Sequence, residues 1–304
     1  MLRLVERTAS KKEKELLPNE KICAISEING DQVRICYDIN ARDQSNYQFY
    51  DMIPAQENDN WLMCPQINSD DTKLNDRITI VGQSGVGKST YAAKLAKLYK
   101  IIHGTDGFII SDDEDDKAYR NSGLQLIKIL DLMQMYVDDD NFDIFKFLGA
   151  STDDKKLSLV IIDDCEAVND KYKKIYISFL KTLFTRGRKY CISPLIIIHN
   201  GAEGPLTKAI NSESRCVFFS PAHQSQNMQY FLRANCDISK QTREYIKSLE
   251  RKLGRLCCIF NDSNPKYLVG DKVVMILDND RIKPDMIKNN VEIDRKSTRL
   301  NSSH

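Results

Sequence analysis

The stretch VGQSGVGKST, residues 81–90, constrains this chain more than any other feature. Its three glycines allow backbone conformations closed to other residues, so that successive N–H groups point inward at phosphate oxygens. Lys88 is then placed to reach the β- and γ-phosphates of a nucleotide, and the Ser89 hydroxyl is suited to Mg²⁺. The stretch therefore predicts a P-loop that binds ATP with magnesium. The candidate binding residues are Gly82, Gln83, Ser84, Gly85, Val86, Gly87, Lys88, Ser89 and Thr90.

Both flanks of the P-loop agree with this interpretation. An apolar run from Ile78 to Val81 precedes the loop, and STYAAKLAKLYK behind it has the apolar spacing of a helix. The order strand, loop, helix places the phosphates at a helix N-terminus, where backbone N–H groups and the helix dipole favour anions.

A second informative stretch is LSLVIIDDCEAV, in which a β-branched apolar run ends in Asp163 and Asp164. The carboxylates are expected at the carboxyl tip of a buried parallel strand, where open α/β sheets bind their ligands. Together with the P-loop, this predicts that Asp163 holds Mg²⁺ through water and that Asp164 orients the attacking water. Glu166 is the alternative for the second role, since it has the longer reach but lies two residues beyond the strand end.

The stretch SPLIIIHN predicts another strand that ends in His199 and Asn200. A polar side chain at this strand tip is able to hydrogen-bond the γ-phosphate or its water. The alternative is a capping role in the turn that follows.

Apolar periodicity predicts the remaining elements. Strands are expected at GFIIS, SRCVFFS, RLCCIF, KYLVG and KVVMIL, and helical segments over residues 124–147, with a break at VDDDN, 170–185 and 224–253. Strands that alternate with helices indicate an α/β protein. We therefore predict a doubly wound, mostly parallel P-loop NTPase sheet with a small N-terminal β-rich segment and short C-terminal strands.

Four regions are expected along the chain. Residues 1–20 are polar and charged and are predicted to be flexible. Residues 21–75 are predicted to form a β-rich segment and linker, because two β-prone runs flank an Asn-Gly dipeptide that is typical of a hairpin turn. The P-loop domain is predicted over residues 76–278, and a tail over residues 279–304. Residues 294–304 match one reading frame of a common sequencing-library adapter and are expected to be foreign to the native chain.

Composition narrows the class of protein. Hydrophobic residues make up 41% and charged residues 29% of the 304 residues, as in ordinary soluble domains. No apolar run approaches the length of a membrane span, and the N-terminus lacks the apolar core of a secretion signal, so an intracellular protein is expected. The nine cysteines show no paired CxxC spacings, which disfavours a zinc site. The formal net charge of +1 does not by itself favour a nucleic-acid partner.

Two charged stretches have two interpretations each. Seven Lys or Arg residues and no acid lie between Lys171 and Lys189, which indicates either a solvated helix face or a surface that contacts phosphates or a neighbouring subunit. The acidic stretch DDEDD after the second strand is typical of a solvated loop, and a specific cation site is the alternative.

Four motifs follow one another over about residues 75–277: GQSGVGKSTYAAKLAK, LVIIDDCEAV, FTRGRKYCISPLIIIH, and KYLV with VVMIL. In order and wording they resemble the genome-packaging ATPases of nucleocytoplasmic large DNA viruses, the poxvirus-type branch of the FtsK/HerA superfamily. The resemblance implies a homo-oligomeric ring that drives double-stranded DNA into a capsid. It also implies contacts with capsid or portal-vertex proteins, in the host cytoplasm or the virion.

The resemblance also assigns residues. Matching positions are held by Lys88, Ser89, Asp163, Asp164 and His199; the family usually carries Gln or His at the last of these. Arg188 falls on an arginine of the family and is the candidate for a contact to the nucleotide of a neighbouring subunit. One departure is the stretch after the second strand, where the family commonly has an arginine after a serine and this chain has SDDEDD.

Two other classes of function compete with a DNA motor. A small-molecule P-loop kinase would need an arginine-rich lid, and the region where a lid is expected is acidic. An assembly or scaffold ATPase would use hydrolysis to reset a partner interaction. The acid pair and the polar strand tip favour an ATPase over a kinase, and the local basic stretch favours DNA.

Overall fold

The structure is a computed structural model that describes residues 2–6, 20–28, 31–38, 50–51, 62–63, 75–103, 107–113, 116–120, 122–150, 158–163, 168–199, 210, 212–222, 225–261, 266–270 and 273–277. Asp164, Glu166, Asn200 and the adapter-like tail lie outside these residues.

The elements are named here in chain order. The strands are β1 (Leu2–Glu6), β2 (Glu20–Ile28), β3 (Asp31–Asp38), β4 (Tyr50–Asp51), β5 (Leu62–Met63), β6 (Ile78–Val81), β7 (Phe108–Ile110), β8 (Gln125–Ile127), β9 (Ser158–Ile162), β10 (Ile192–Ile198), β11 (Cys216–Phe219), β12 (Cys257–Phe260), β13 (Lys266–Val269) and β14 (Val273–Leu277). The helices are α1 (Lys88–His103), α2 (Ile129–Asp138), α3 (Ile144–Phe147), α4 (Lys173–Arg186), α5 (Gln226–Cys236), α6 (Lys240–Ser248) and α7 (Glu250–Leu253), with a 3₁₀ turn at Gly187–Tyr190.

The larger sheet has ten strands in the order β4-β14-β13-β12-β11-β6-β10-β9-β7-β8. The run from β8 to β11 is parallel throughout, with five pairings, and the four pairings from β11 to β4 are antiparallel. This confirms the predicted P-loop sheet, mostly parallel, with short C-terminal strands. Because β6 lies between β10 and β11, the P-loop leaves the sheet at its centre.

Alternate residues of the central strands enter two separate cores. On β6, Ile78 and Ile80 pack with α1 on one face of the sheet, and Val81 packs on the other face with the helices that follow in the chain. The second face buries apolar residues of α2 to α7. Strands that are buried on both sides explain why ITIV, SLVII and SPLIII read as almost continuous apolar runs. Helices on both faces confirm the doubly wound arrangement.

One predicted element is wrong in type. The helical segment expected from residue 124 begins only at Ile129, and Gln125–Ile127 forms the edge strand β8 instead. The strand is parallel to β7, and Gln125 N–H donates to the carbonyl of Gly107 at 3.0 Å. The other predicted strands and helices are present, with small shifts of bounds, and the helical region 224–253 consists of α5, α6 and α7. Residues 1–20 were predicted to be flexible, but Leu2–Glu6 forms the strand β1, which pairs with β3.

The N-terminal strands form a second sheet in the order β1-β3-β2-β5. The hairpin predicted at Asn-Gly is confirmed, because β2 and β3 pair antiparallel with Ile28 opposite Asp31. The short strand β4 belongs to the larger sheet, where it pairs with β14. The predicted domain boundary at residue 76 stays a prediction. Among the described helices, none has the length and apolar character needed to cross a bilayer.

Candidate nucleotide-binding site

The P-loop continues the sheet before it turns into α1. Gly82 N–H donates to the carbonyl of Ile198 at 3.1 Å, which extends the pairing of β6 with β10 by one bond. Gly85 and Gly87 have φ of 82° and 92°, the left-handed region that favours glycine. The first helical bond runs from Tyr91 N–H to the carbonyl of Gly87 at 3.0 Å. The loop therefore lies at the N-terminus of α1, as the sequence predicts.

Lys88 points into the loop that it follows. The side chain is buried, with 6% exposure, and its Nζ donates to the carbonyls of Gly82 at 2.8 Å and Gln83 at 3.1 Å. These carbonyls hold the ammonium beneath the loop residues that are expected to surround the phosphates. A phosphate bound in the loop would meet a positive charge that is already in place.

Ser89 and Asp163 form the second contact of the site. Ser89 Oγ donates to Asp163 Oδ2 at 3.0 Å, and Asp163, at the carboxyl end of β9, is 6% exposed. Asp163 comes close to Ser89 because β9 lies two strands from β6 in the sheet, with β10 between them. A hydroxyl and a carboxylate oxygen side by side are ligands that Mg²⁺ prefers.

Ser89 and Asp163 supply oxygen ligands of the kind that Mg²⁺ takes when it is bound together with a nucleotide. Within the described ranges, no three His, Cys, Asp or Glu side chains group into a metal site. In nucleotide sites Mg²⁺ takes one or two protein ligands and completes its shell with phosphates and water. The pair of Ser89 and Asp163 matches that requirement.

His199 lies beside the P-loop, directly after β10. Its Nδ1 is 3.3 Å from Ser84 Oγ and 3.4 Å from Lys88 Nζ. Because an ammonium only donates hydrogen bonds, Nδ1 accepts from Lys88 and the ring proton lies on Nε2. The imidazole is therefore at the edge of the loop, where a polar group is able to contact the terminal phosphate.

Two side chains that the sequence did not single out also reach the site. Tyr119, in the turn after β7, donates from its hydroxyl to Asp163 Oδ2 at 2.7 Å. Burial and the neighbouring Asp163 carboxylate raise the pKa of Tyr119 well above its usual value, so that it remains a donor. Arg255 lies over the start of α1, where a Cβ on Gly87 would be 3.7 Å from its Nη1.

The remaining predicted site residues are elsewhere. Arg188 is exposed in the 3₁₀ turn that precedes β10, at the amino edge of the sheet, whereas the P-loop is at the carboxyl edge. It does not join the site of its own chain. Asp164 and Glu166 lie outside the described residues, so the choice between them stays open.

Comparisons with known proteins give one relative and several solved structures. No protein-family model matches the chain. It is 25% identical over 181 residues to Uncharacterized protein V3 of Sputnik virophage, which covers 58% of this chain and 68% of that protein. It is similar to the genome packaging NTPase B204 of Sulfolobus turreted icosahedral virus 2 in complex with ATP-gammaS, with 12% identity, a TM-score of 0.41 and coverage of 67% of this chain and 97% of that one. It is also similar to the pCW3 conjugation coupling protein TcpA with ATPgS, with 15% identity, a TM-score of 0.41 and coverage of 89% and 82%.

That relative is itself uncharacterised and the solved structures have TM-scores of 0.41, so these similarities add nothing about the site or the function of this chain.

Proposed function

We propose that this protein is an ATP-hydrolysing motor that translocates double-stranded DNA, as a packaging ATPase does. The observation that carries the proposal is the meeting of Lys88, Ser89, Asp163 and His199 at one point on the carboxyl edge of the sheet. Two of these side chains come from the P-loop and two from the ends of neighbouring strands. A binding loop alone would not need a polar strand tip beside its lysine.

Each residue has a distinct part in the proposed hydrolysis. The loop N–H groups and Lys88 hold the β- and γ-phosphates, and the Lys88 charge offsets the charge that develops on the γ-phosphate. Mg²⁺, held by Ser89 and Asp163, would supply further charge neutralisation at the phosphates. Asp164, or Glu166 in its place, orients the water, and His199 contacts the terminal phosphate and responds to its loss.

The proposed DNA-contacting surface is the basic stretch on and around α4. One face of α4 is buried in the core, including Phe179, Leu180 and Leu183. The seven basic side chains of the stretch are all exposed, and they are Lys171, Lys173, Lys174, Lys181, Arg186, Arg188 and Lys189. Such a row suits the sequence-independent phosphate contacts that a translocating motor needs.

The proposed motor acts as a ring of identical subunits. Arg188 is remote from the site of its own chain, so a nucleotide that it contacts would belong to a neighbouring subunit. In a virus the partners of such a ring would be capsid or portal-vertex proteins, in the host cytoplasm or the virion.

ATP turnover with and without double-stranded DNA tests the proposal. We expect turnover that depends on Mg²⁺, is absent in Lys88→Ala and rises several-fold with DNA. Turnover that ignores DNA would instead favour an assembly ATPase, and transfer of the γ-phosphate to a small molecule would favour a kinase. No turnover under any condition would contradict an ATPase.

A further inference from the structure

We propose that Tyr119 is a gate on the cation site of the P-loop: its hydroxyl occupies Asp163 in the nucleotide-free protein and leaves when a magnesium nucleotide binds. The inference rests on the proposed nucleotide function and names the residue that regulates access to that site. It also assigns a role to the segment after β7, where the sequence departs from the family that it resembles.

The first step is the occupancy of one oxygen atom. Asp163 Oδ2 accepts from Ser89 Oγ at 3.0 Å and from Tyr119 Oη at 2.7 Å. A carboxylate oxygen has two lone-pair positions, so both positions on Oδ2 are filled. A hydrated cation that approaches Asp163 at this oxygen must displace one of the two donors.

The second step is which donor leaves. A serine hydroxyl has one proton and two lone pairs, so Ser89 is able to keep its bond to Asp163 while a lone pair faces a cation. Tyr119 comes from a turn that belongs neither to the P-loop nor to β9, and its hydroxyl also contacts the Ser89 hydroxyl. Its hydroxyl donates a hydrogen bond to Oδ2 at the position where a water molecule of the hydrated cation would donate one. Tyr119 is therefore the donor that is exchanged.

The third step concerns the bonds that hold the turn. Its internal bonds are local: Ala118 N–H donates to Asp116 Oδ1 at 2.8 Å, and Ser122 Oγ donates to the carbonyl of Tyr119 at 2.7 Å. The tyrosine ring is partly buried against the core on the α1 face, whereas its neighbours Lys117 and Arg120 are exposed. The bond between Tyr119 and Asp163 is not part of the strand pairing, so its release leaves the sheet intact.

The expected effect on Mg²⁺ binding follows from the hydrogen bond between Tyr119 and Asp163, which exists only in the nucleotide-free protein. Breaking the bond between Tyr119 and Asp163 opposes cation binding, so its removal should strengthen binding. A hydrogen bond to a charged group corresponds to roughly a tenfold change in affinity or more. If Tyr119 instead stayed in place to orient Asp163, its removal would weaken binding.

The experiment is Tyr119→Phe, which removes only the hydroxyl. Binding of a fluorescent, non-hydrolysable ATP analogue is titrated with Mg²⁺ and compared with binding in EDTA. We expect the half-saturating Mg²⁺ concentration to fall about tenfold, with nucleotide affinity in EDTA unchanged. Tyr172→Phe is the matched control, because that hydroxyl donates to Gln134 Oε1 at 2.8 Å on the surface of α2 and α4. It should leave both values as in the wild type.

Limited trypsin digestion supplies a second readout that does not depend on turnover. Lys117 and Arg120 flank Tyr119, so cleavage there reports the position of the turn. In the wild type, cleavage should increase when Mg²⁺ and the analogue are added together. In Tyr119→Phe it should already be high without them.

The possible outcomes distinguish failure of the proposed gate from failure of the proposed nucleotide function. Unchanged or weaker Mg²⁺ dependence in Tyr119→Phe, or cleavage that does not respond to the nucleotide, would overturn the gate while the wild type still binds. If the wild type binds no more analogue than Lys88→Ala, the nucleotide site itself is wrong and the gate is rejected with it.

Discussion

Lys88 is a buried cation that donates to backbone carbonyls of its own loop. In Lys88→Ala we expect ATP binding to weaken by roughly 100-fold or more, because charge-assisted bonds to two phosphates are lost. Isothermal titration calorimetry measures the change. The unfolding midpoint serves as a control for folding, and binding within threefold of the wild type would contradict the P-loop assignment.

Arg255 is a second cation at the phosphate site, contributed by the loop between α7 and β12. It is exposed, and its guanidinium lies over Gly87. We expect Arg255→Ala to weaken nucleotide binding about tenfold and Arg255→Lys to weaken it less. Arg251→Ala, an exposed arginine one helical turn earlier, is the matched control. Equal effects of the two alanine variants would show that only general charge matters.

The sequence could predict some of these positions and not others. Asp163 and His199 were predictable at the P-loop because the carboxyl ends of parallel strands meet at one edge of a sheet. Tyr119 and Arg255 come from irregular segments without a motif or a period. Their approach depends on the path of a loop, which local sequence does not specify. Arg255 reaches the carboxyl edge because it precedes β12, whose first residue Cys257 pairs with Phe219 at the end of β11.

The two faces of helix α4 separate core packing from the proposed DNA contacts. Lys174 and Lys181 lie two turns apart on its exposed side, away from the face that contains the buried Leu180. In the double variant Lys174→Glu and Lys181→Glu, we expect an unchanged unfolding midpoint and weaker DNA binding with a shallower dependence on salt, because phosphate contacts are lost. Fluorescence anisotropy at several salt concentrations measures this. An unchanged salt slope would indicate a solvated face.

A substitution on the buried face of α4 should have the opposite effect, a loss of stability without a loss of DNA binding. Leu180→Ala removes a fully buried side chain from the core and should lower the free energy of unfolding by about 2–5 kcal/mol. Urea unfolding measures the loss, and DNA binding of the fraction that remains folded should be unchanged. A loss of DNA binding without a loss of stability would mean that the proposed DNA-contacting surface is assigned to the wrong face of α4.

Strand β8 shows why local pattern failed for one element. In LQLIKIL the apolar residues fit both a two-residue and a helical period, and the longer run favoured a helix. The free edge of β7 decides the outcome, since Ser111 N–H donates to the carbonyl of Ile127 at 3.1 Å. Each residue of β8 pairs with a residue seventeen positions earlier, and the local period does not encode such a pairing. The central strands were predictable because burial on both faces leaves a continuous apolar run.

Across the whole molecule, the proposed catalytic groups lie on opposite edges of one sheet. Strand β10 separates Arg188 from His199, and its seven residues span about 20 Å. An arginine at that distance cannot stabilise charge on the nucleotide of its own chain. If Arg188 acts in hydrolysis, it acts on a neighbour, and the complete site then exists only between two subunits.

A mixing experiment tests this shared site. Arg188→Ala should bind ATP as the wild type does and hydrolyse it slowly at every protein concentration, because an inserted arginine contributes on the order of 10³-fold in rate. Asp164→Asn should bind ATP and Mg²⁺ and fail in the chemical step, with Glu166→Gln tested in parallel. Each variant lacks a different half of the interface, so some interfaces in a mixed ring pair two intact halves and activity should partly return.

Differently tagged subunits that purify together show that mixed rings have formed. If such rings remain inactive, Arg188 does not act in trans. Its positive charge would then belong with the proposed DNA-contacting surface, where the salt dependence of binding measures its part.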